Sequence, residues 1–232
     1  MSKSNRLNDR LVKVLSSSLF SFFIVLITNG ASLPLMLNAF GQYTAGVYFT
    51  FISLIRFFLP IVSMGSSNIL IENHHKGVEY YASCFWWLAI RTLFLSLIIS
   101  ALLYFFFKYF PMFDENIQSF ILYFVISELL FTTLFEMCLV SFRLSNNPFL
   151  ETWIRLFFQI CKFLCVAYIY LNFKNFHALE IFGKYLFFTS LAFCASTVII
   201  QLKKISFSLD SKLEPFSGIG WTFFRISSSI PV

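Results

Sequence analysis

The chain has 232 residues, of which 58% are hydrophobic and 12% charged, with a formal net charge of +6. Water-soluble domains are about 25% charged, so this composition excludes a soluble enzyme or soluble binding module and makes lipid the solvent of most of the chain. In a soluble protein the positive balance would point to nucleic acid; here most basic residues fall where membrane topology places them, and no nucleic-acid partner is expected.

Apolar segments long enough to cross about 30 Å of hydrocarbon as a helix recur at residues 14–37, 45–69, 83–107, 117–141, 152–172 and 179–202. Asn38, Gly41, Pro111, Asn146, Asn147 and Pro148 punctuate them as turn and breaker residues. The segments are continuously apolar, whereas a membrane β-barrel needs alternation. The expected fold is therefore all-α, a polytopic transmembrane bundle of six spans. The first span is too long and lacks the cleavage site of a removed signal peptide, so it is expected to remain. After a loop at 203–217, residues 218–232 (GIGWTFFRISSSIPV) read as an incomplete seventh span containing Arg225, short of the roughly 20 residues a crossing needs.

Cytoplasmic loops retain Lys and Arg during insertion. With the N-terminus inside, that side receives Lys3, Arg6, Arg10, Lys13, Lys76, Arg143, Lys203, Lys204 and Lys212, and the outer loops hold only Lys108 and Lys174. Nine against two predicts a cytoplasmic N-terminus and a six-helix lobe over residues 1–202.

Charges inside the spans each need a reason, because an arginine or lysine at the centre of a membrane helix costs about 2.5–3.5 kcal/mol. Arg91, Arg155 and Lys184 lie within about two turns of a span end, where snorkelling toward headgroups is an alternative to any function. Arg56, Glu128 and Lys162 are central. If the fourth and fifth spans form an antiparallel hairpin, residues at equal depth have position numbers with a nearly constant sum. The sums for Glu128 with Lys162 and for Glu136 with Arg155 differ by only one. The expected result is a two-rung ladder of ion pairs, Glu128–Lys162 at mid-membrane and Glu136–Arg155 nearer the cytoplasm. Its members share helix faces, with Gln159 beside the two bases. Such pairs serve equally well as plain glue between two helices.

The ladder leaves Arg56, Arg91 and possible further positive charge at Lys184 unmatched, which predicts a cationic cavity built on Arg56, Arg91 and Lys162 and facing water or an anionic partner. Pro60, one turn beyond Arg56, frees a backbone carbonyl that cavity water or a neighbouring helix satisfies; a simple kink is the alternative. Ser17, Ser21 and Thr28 form a polar stripe on the first span that either lines the same cavity or eases helix packing.

The five cysteines, Cys84, Cys138, Cys161, Cys165 and Cys194, all fall in or at the edge of spans and read as apolar packing residues. The spacing of Cys161 and Cys165 is not that of a CxxC metal or redox site. His74 and His75 read as solvated loop residues. Loops of about 15 residues at most carry Glu72, Glu79, Asp210 and Glu214 without a metal or nucleophile constellation. This weighs against the alternative of an integral-membrane enzyme of polysaccharide assembly, a glycosyltransferase or O-antigen polymerase. The basic surplus argues against a drug/cation antiporter, whose cavity would be acidic. No glycine-rich phosphate loop is present, and no cofactor or metal is expected.

From Phe40 to Asn68 the chain reads FGQYTAGVYFTFISLIRFFLPIVSMGSSN. With its basic N-terminus this resembles the bacterial polysaccharide (O-antigen type) flippases. The likeness rests on Gly41, Gly46, Tyr48, Ser53, Leu54 and Gly65, and extends weakly over six spans. The resemblance implies the fold of the multidrug/oligosaccharidyl-lipid/polysaccharide exporters, two six-helix lobes around a central cavity. It also implies a multi-pass protein of the bacterial inner membrane that moves undecaprenyl-pyrophosphate-linked oligosaccharide for O-antigen and lipopolysaccharide biosynthesis. The partners would be that lipid-linked substrate, membrane lipids and other polysaccharide assembly proteins. Related flippases of lipid-linked peptidoglycan precursors carry an arginine in the second cavity helix; LIRFF is similar, and Arg56 would take that role. The chain ends where a second lobe would begin. The resemblance therefore implies the N-terminal lobe of a longer or interrupted protein, inactive alone if truncated.

Overall fold

Continuous apolar runs offer the backbone no outside hydrogen-bond partner, so each run satisfies its own N–H and C=O groups as a helix. The computed structural model describes residues 3–109, 115–144, 148–173 and 175–205, all of it helix and short connections. Residues 218–232 with Arg225, and most of the loop before them, lie outside the described residues. The helices are α1 (Lys3–Phe40), α2 (Gln42–Ser63), α3 (Ser66–Asn73), α4 (Val78–Tyr109), α5 (Glu115–Ile126), α6 (Thr132–Leu144), α7 (Pro148–Asn172) and α8 (Asn175–Lys204). A 3-10 turn, His74–Lys76, follows α3, and a π-turn, Ser127–Phe131, joins α5 to α6.

Six stretches are long and apolar enough to cross a membrane: Phe22–Phe40, Gln42–Lys76, Val78–Tyr109, Ile117–Leu144, Phe149–Asn172 and His177–Lys203. These overlap the six spans read from the sequence. The connections are shorter than expected, because Asn38 continues α1 and only Gly41, at φ 78°, separates it from α2. Large apolar side chains such as Phe22, Ile27, Phe57, Leu102, Phe157 and Phe188 are exposed on the outside of the bundle, as acyl chains require.

The second span is broken, and not where its proline stands. Pro60 lies inside α2, which continues to Ser63. The break falls at Met64 and Gly65, both in the left-handed region at φ 39° and 68°. A methionine pays for that conformation where a glycine does not. The Met64 N–H donates to Pro60 O at 2.9 Å, closing α2, and α3 starts anew at Ser66.

Two ends of the bundle differ. Based at the Gly41 end, one apolar core joins the end of α1, α2 from Ala45 to Val62, the end of α4, α5, the end of α7 and the start of α8. Tyr48 is its hub, with its ring 5.5 to 6.3 Å from those of Phe40, Phe120, Phe124 and Phe182. α5 and α8 approach closely there because Gly183 has no side chain; a Cβ would come within 2.9 Å of the Phe120 ring. At the Gly77 end the core divides into one group around α3, α4 and α6 and a second around α6, α7 and α8. The bundle is sealed at one end and parted toward the other.

Candidate functional site

A cavity of about 490 Å³ adjoins the apolar core of the Gly41 end, between α1, α2, the α5–α6 span and α7. α1 lines it with Thr28, Asn29 and Ser32, α2 with Tyr48 and Arg56, the α5–α6 span with Glu128, Thr132 and Glu136, and α7 with Gln159 and Lys162. Buried Met36, Tyr48, Phe124 and Phe182 close it toward the Gly41 end, while Asn29 and Arg56 are exposed. Thr28 is the member of the expected stripe that reaches it; the Ser17 and Ser21 side chains lie outside the described ones. Asn29 and Ser32 were not singled out from the sequence, although Ser32 follows Thr28 at the four-residue helical spacing.

The hairpin of α6 and α7 carries the ion pairs. Lys162 Nζ lies 2.8 Å from Glu128 Oε1 and 4.8 Å from the centre of the Phe158 ring. Arg155 grips Glu136 with both nitrogens, Nη1 to Oε1 at 2.9 Å and Nη2 to Oε2 at 2.7 Å. The structure adds a further rung. Arg155 Nη2 also reaches Glu151 at 3.4 Å, and Glu151, only 6% exposed, is clasped by Arg143, whose Nε lies 2.8 Å from its Oε2. Arg143, assigned from the sequence to a loop, thus closes a chain of four alternating charges across α6 and α7.

The π-turn brings the two acids into register. Glu128 and Glu136 are eight residues apart, which on a regular helix at about 100° per residue leaves them about 80° apart around the axis. The π-turn takes up one extra residue, so the two behave as if seven apart and point within about 20° of one another. Arg155 and Lys162 on α7 are themselves seven apart. The turn is held by Thr132, whose hydroxyl donates to Ser127 O at 3.1 Å, and by Ser127, whose hydroxyl meets Ser190 Oγ of α8 at 2.9 Å.

Arg56 makes no ion pair among the described residues, and it lines the cavity from an exposed position. Pro60, one turn on, removes the N–H that would bind the Arg56 carbonyl in a regular helix. Arg91 corrects the expectation of a shared cavity, because it is not among the lining residues. Its Nη2 donates to Ser63 O at 3.0 Å and to Ser66 Oγ at 2.9 Å, spanning the break between α2 and α3. A broken helix leaves carbonyls without partners, and the guanidinium of α4 supplies one. Lys184 is not surplus either, since its Nζ lies 2.7 Å from Glu180 Oε1, one turn earlier on α8. The i, i+4 spacing of that pair was available in the sequence.

The cavity is therefore less basic than its sequence implied. Arg56 and Lys162 face Glu128 and Glu136, and Glu136 is neutralised by Arg155 from behind. One positive charge, on Arg56, stays unmatched. No group of three or more His, Cys, Asp and Glu able to hold a metal ion occurs among the described residues. The five cysteines are free thiols, with Cys84, Cys138 and Cys194 buried and Cys161 and Cys165 half-buried. His75 is exposed on the 3-10 turn, and the His74 ring lies 5.4 Å from that of Tyr81. The chain matches no family model, no curated protein and no solved structure.

Proposed function

We propose that the chain receives the anionic head of a membrane lipid in this cavity and takes part in moving it across the bilayer. The observation that carries the reading is Arg56, a guanidinium without a carboxylate in a polar cavity, while Lys162, Arg155 and Lys184 each hold an acid and Arg91 holds backbone. A guanidinium binds phosphate through paired, charge-assisted hydrogen bonds, and an arginine left free within a span needs such a partner or water. The neutral donors and acceptors nearby, Asn29, Ser32, Thr132 and Gln159, suit a polyhydroxylated group attached to the phosphate.

The substrate we propose is undecaprenyl-pyrophosphate-linked oligosaccharide, flipped across the bacterial inner membrane for surface polysaccharide. Two features support this reading: the cavity chemistry, and the likeness of residues 40–68 to the polysaccharide flippases. The bias of Lys and Arg over the loops favours a cytoplasmic N-terminus. In that orientation the aromatic seal at the Gly41 end lies toward the outer leaflet, and the cavity receives its ligand from the inner one.

Equilibrium binding of farnesyl pyrophosphate, a short polyprenyl pyrophosphate, to the detergent-solubilised chain tests the reading, with farnesol as the uncharged control. The pyrophosphate is expected to bind and farnesol to bind weakly. Arg56→Ala should lose about tenfold or more in affinity, and Arg56→Lys should recover part of it, since an ammonium keeps the charge without the paired geometry. Equal binding of both lipids, or an unchanged affinity in Arg56→Ala, would remove the anion from the function.

A further inference from the structure

We propose that Glu128 is an internal stand-in for the ligand's anion. Its carboxylate occupies the Lys162 ammonium, and an arriving phosphate displaces it and bridges Lys162 and Arg56. The inference rests on the reading that the cavity receives an anionic head, and it assigns the binding groups of that head and the residue that competes with it.

Three observations point this way. Glu128, Lys162 and Arg56 all line one cavity from three different spans. The two acids of that cavity are held very differently: Glu136 has both oxygens bound by Arg155, whereas the ion pair of Glu128 is a single contact of Oε1 with Lys162 at 2.8 Å. Finally, Glu128 stands on the π-turn Ser127–Phe131. Its backbone lacks regular i to i−4 bonding there and adjusts more readily than α-helix, which is why π-turns gather at functional positions.

Electrostatic arithmetic explains the exchange. With Glu136 cancelled by Arg155, the groups facing the ligand are Arg56, Lys162 and Glu128, one net positive charge. A singly charged head is neutralised with Glu128 in place. A pyrophosphate carries more charge and is repelled by that carboxylate until it turns away from Lys162. Lys162 suits the exchange, because its compact ammonium sits on a flexible stem and carries three donors in no fixed plane. Gln159, also in the cavity, offers the displaced carboxylate a new hydrogen bond from its amide. Glu128 thereby sets how much negative charge a ligand must bring before it is held.

The test uses the solubilised chain with farnesyl pyrophosphate, inorganic pyrophosphate and farnesol, titrated by calorimetry. Glu128→Gln removes the competing charge and is expected to tighten both pyrophosphates by about tenfold, the size of one charge interaction at about 4 Å in a nearly water-like dielectric. Farnesol should be unaffected. Glu128→Asp keeps the charge but withdraws it by one methylene, and should tighten them less. It serves if Glu128→Gln, with Lys162 unpaired, fails to fold. Equal tightening of farnesyl and inorganic pyrophosphate places the effect on the head. Tightening confined to the farnesyl compound, or shared by farnesol, would place it on the tail and overturn the proposal, as would unchanged or weaker pyrophosphate binding in both variants. If the wild-type chain and both variants bind farnesyl pyrophosphate no better than farnesol, the anion reading itself fails. Wild-type binding without tightening in the variants sinks only the role of Glu128.

Discussion

Arg56 and Arg91 are both single arginines inside apolar spans, Arg56 central and Arg91 within about two turns of an end, and the fold treats them in different ways. Arg91 turns toward backbone and spans the break in the second span through Ser63 O and Ser66 Oγ. Arg56, half a span away on α2, meets no acid among the described residues and lines the cavity. The difference teaches that a charge inside a span is explained by what the fold places beside it. One nitrogen of Arg91 is given a carbonyl and a hydroxyl while its Nε and Nη1 stay buried without partners, whereas Arg56 opens onto the cavity.

That contrast is open to direct attack by measurements of stability. The largest loss is expected where the chain of charges is densest. Glu151→Ala removes the partner of the half-exposed Arg143 and the weaker contact of Arg155, which keeps Glu136, and should cost about 1.5–3 kcal/mol, the scale of hydrogen bonds to a charged group, in unfolding by SDS from mixed micelles. Arg91→Ala should cost less, about 1–2 kcal/mol, for two hydrogen bonds spanning a helix break. Faster backbone hydrogen exchange should follow around residues 60–66. Arg56→Ala should stay within about 0.5 kcal/mol of the wild type, as a side chain with nothing to release does. If Arg56→Ala destabilised as much as Arg91→Ala, the two arginines would be alike and the distinction would collapse.

The ion-pair hairpin was legible because an antiparallel pair of helices converts depth into a rule about position numbers. Glu128 with Lys162 and Glu136 with Arg155 obey it, and the structure places each couple in contact. The shared face of the two acids had a different origin from the one the numbering implied. Eight residues suffice only because of the π-turn, and Ser-Glu-Leu-Leu-Phe carries no local signal for one; it is stabilised by Ser190, far along the chain. Arg91 was misread for a related reason, since its acceptor is a backbone carbonyl freed by a break at Met64 and Gly65, and Pro60 drew attention to a kink one turn too early. Lys184 was counted as surplus although Glu180 stands one turn before it. In the sequence Tyr48 is one of the residues that carry the flippase likeness; only the fold makes it the centre of the aromatic seal and a wall of the cavity.

The most direct measurement of whether Arg56 faces water in an empty hollow is thiol accessibility in membrane vesicles. In a background with Cys84, Cys138, Cys161, Cys165 and Cys194 replaced, Arg56→Cys is compared with Phe57→Cys, whose parent side chain is 69% exposed on the outside of the bundle. A water-soluble charged methanethiosulfonate reacts only where a thiol meets water and ionises. The account predicts that Arg56→Cys is labelled several-fold faster than Phe57→Cys, and that farnesyl pyrophosphate protects it. Equal labelling, or faster labelling at Phe57→Cys, would mean that Arg56 lies among acyl chains and would contradict the central claim.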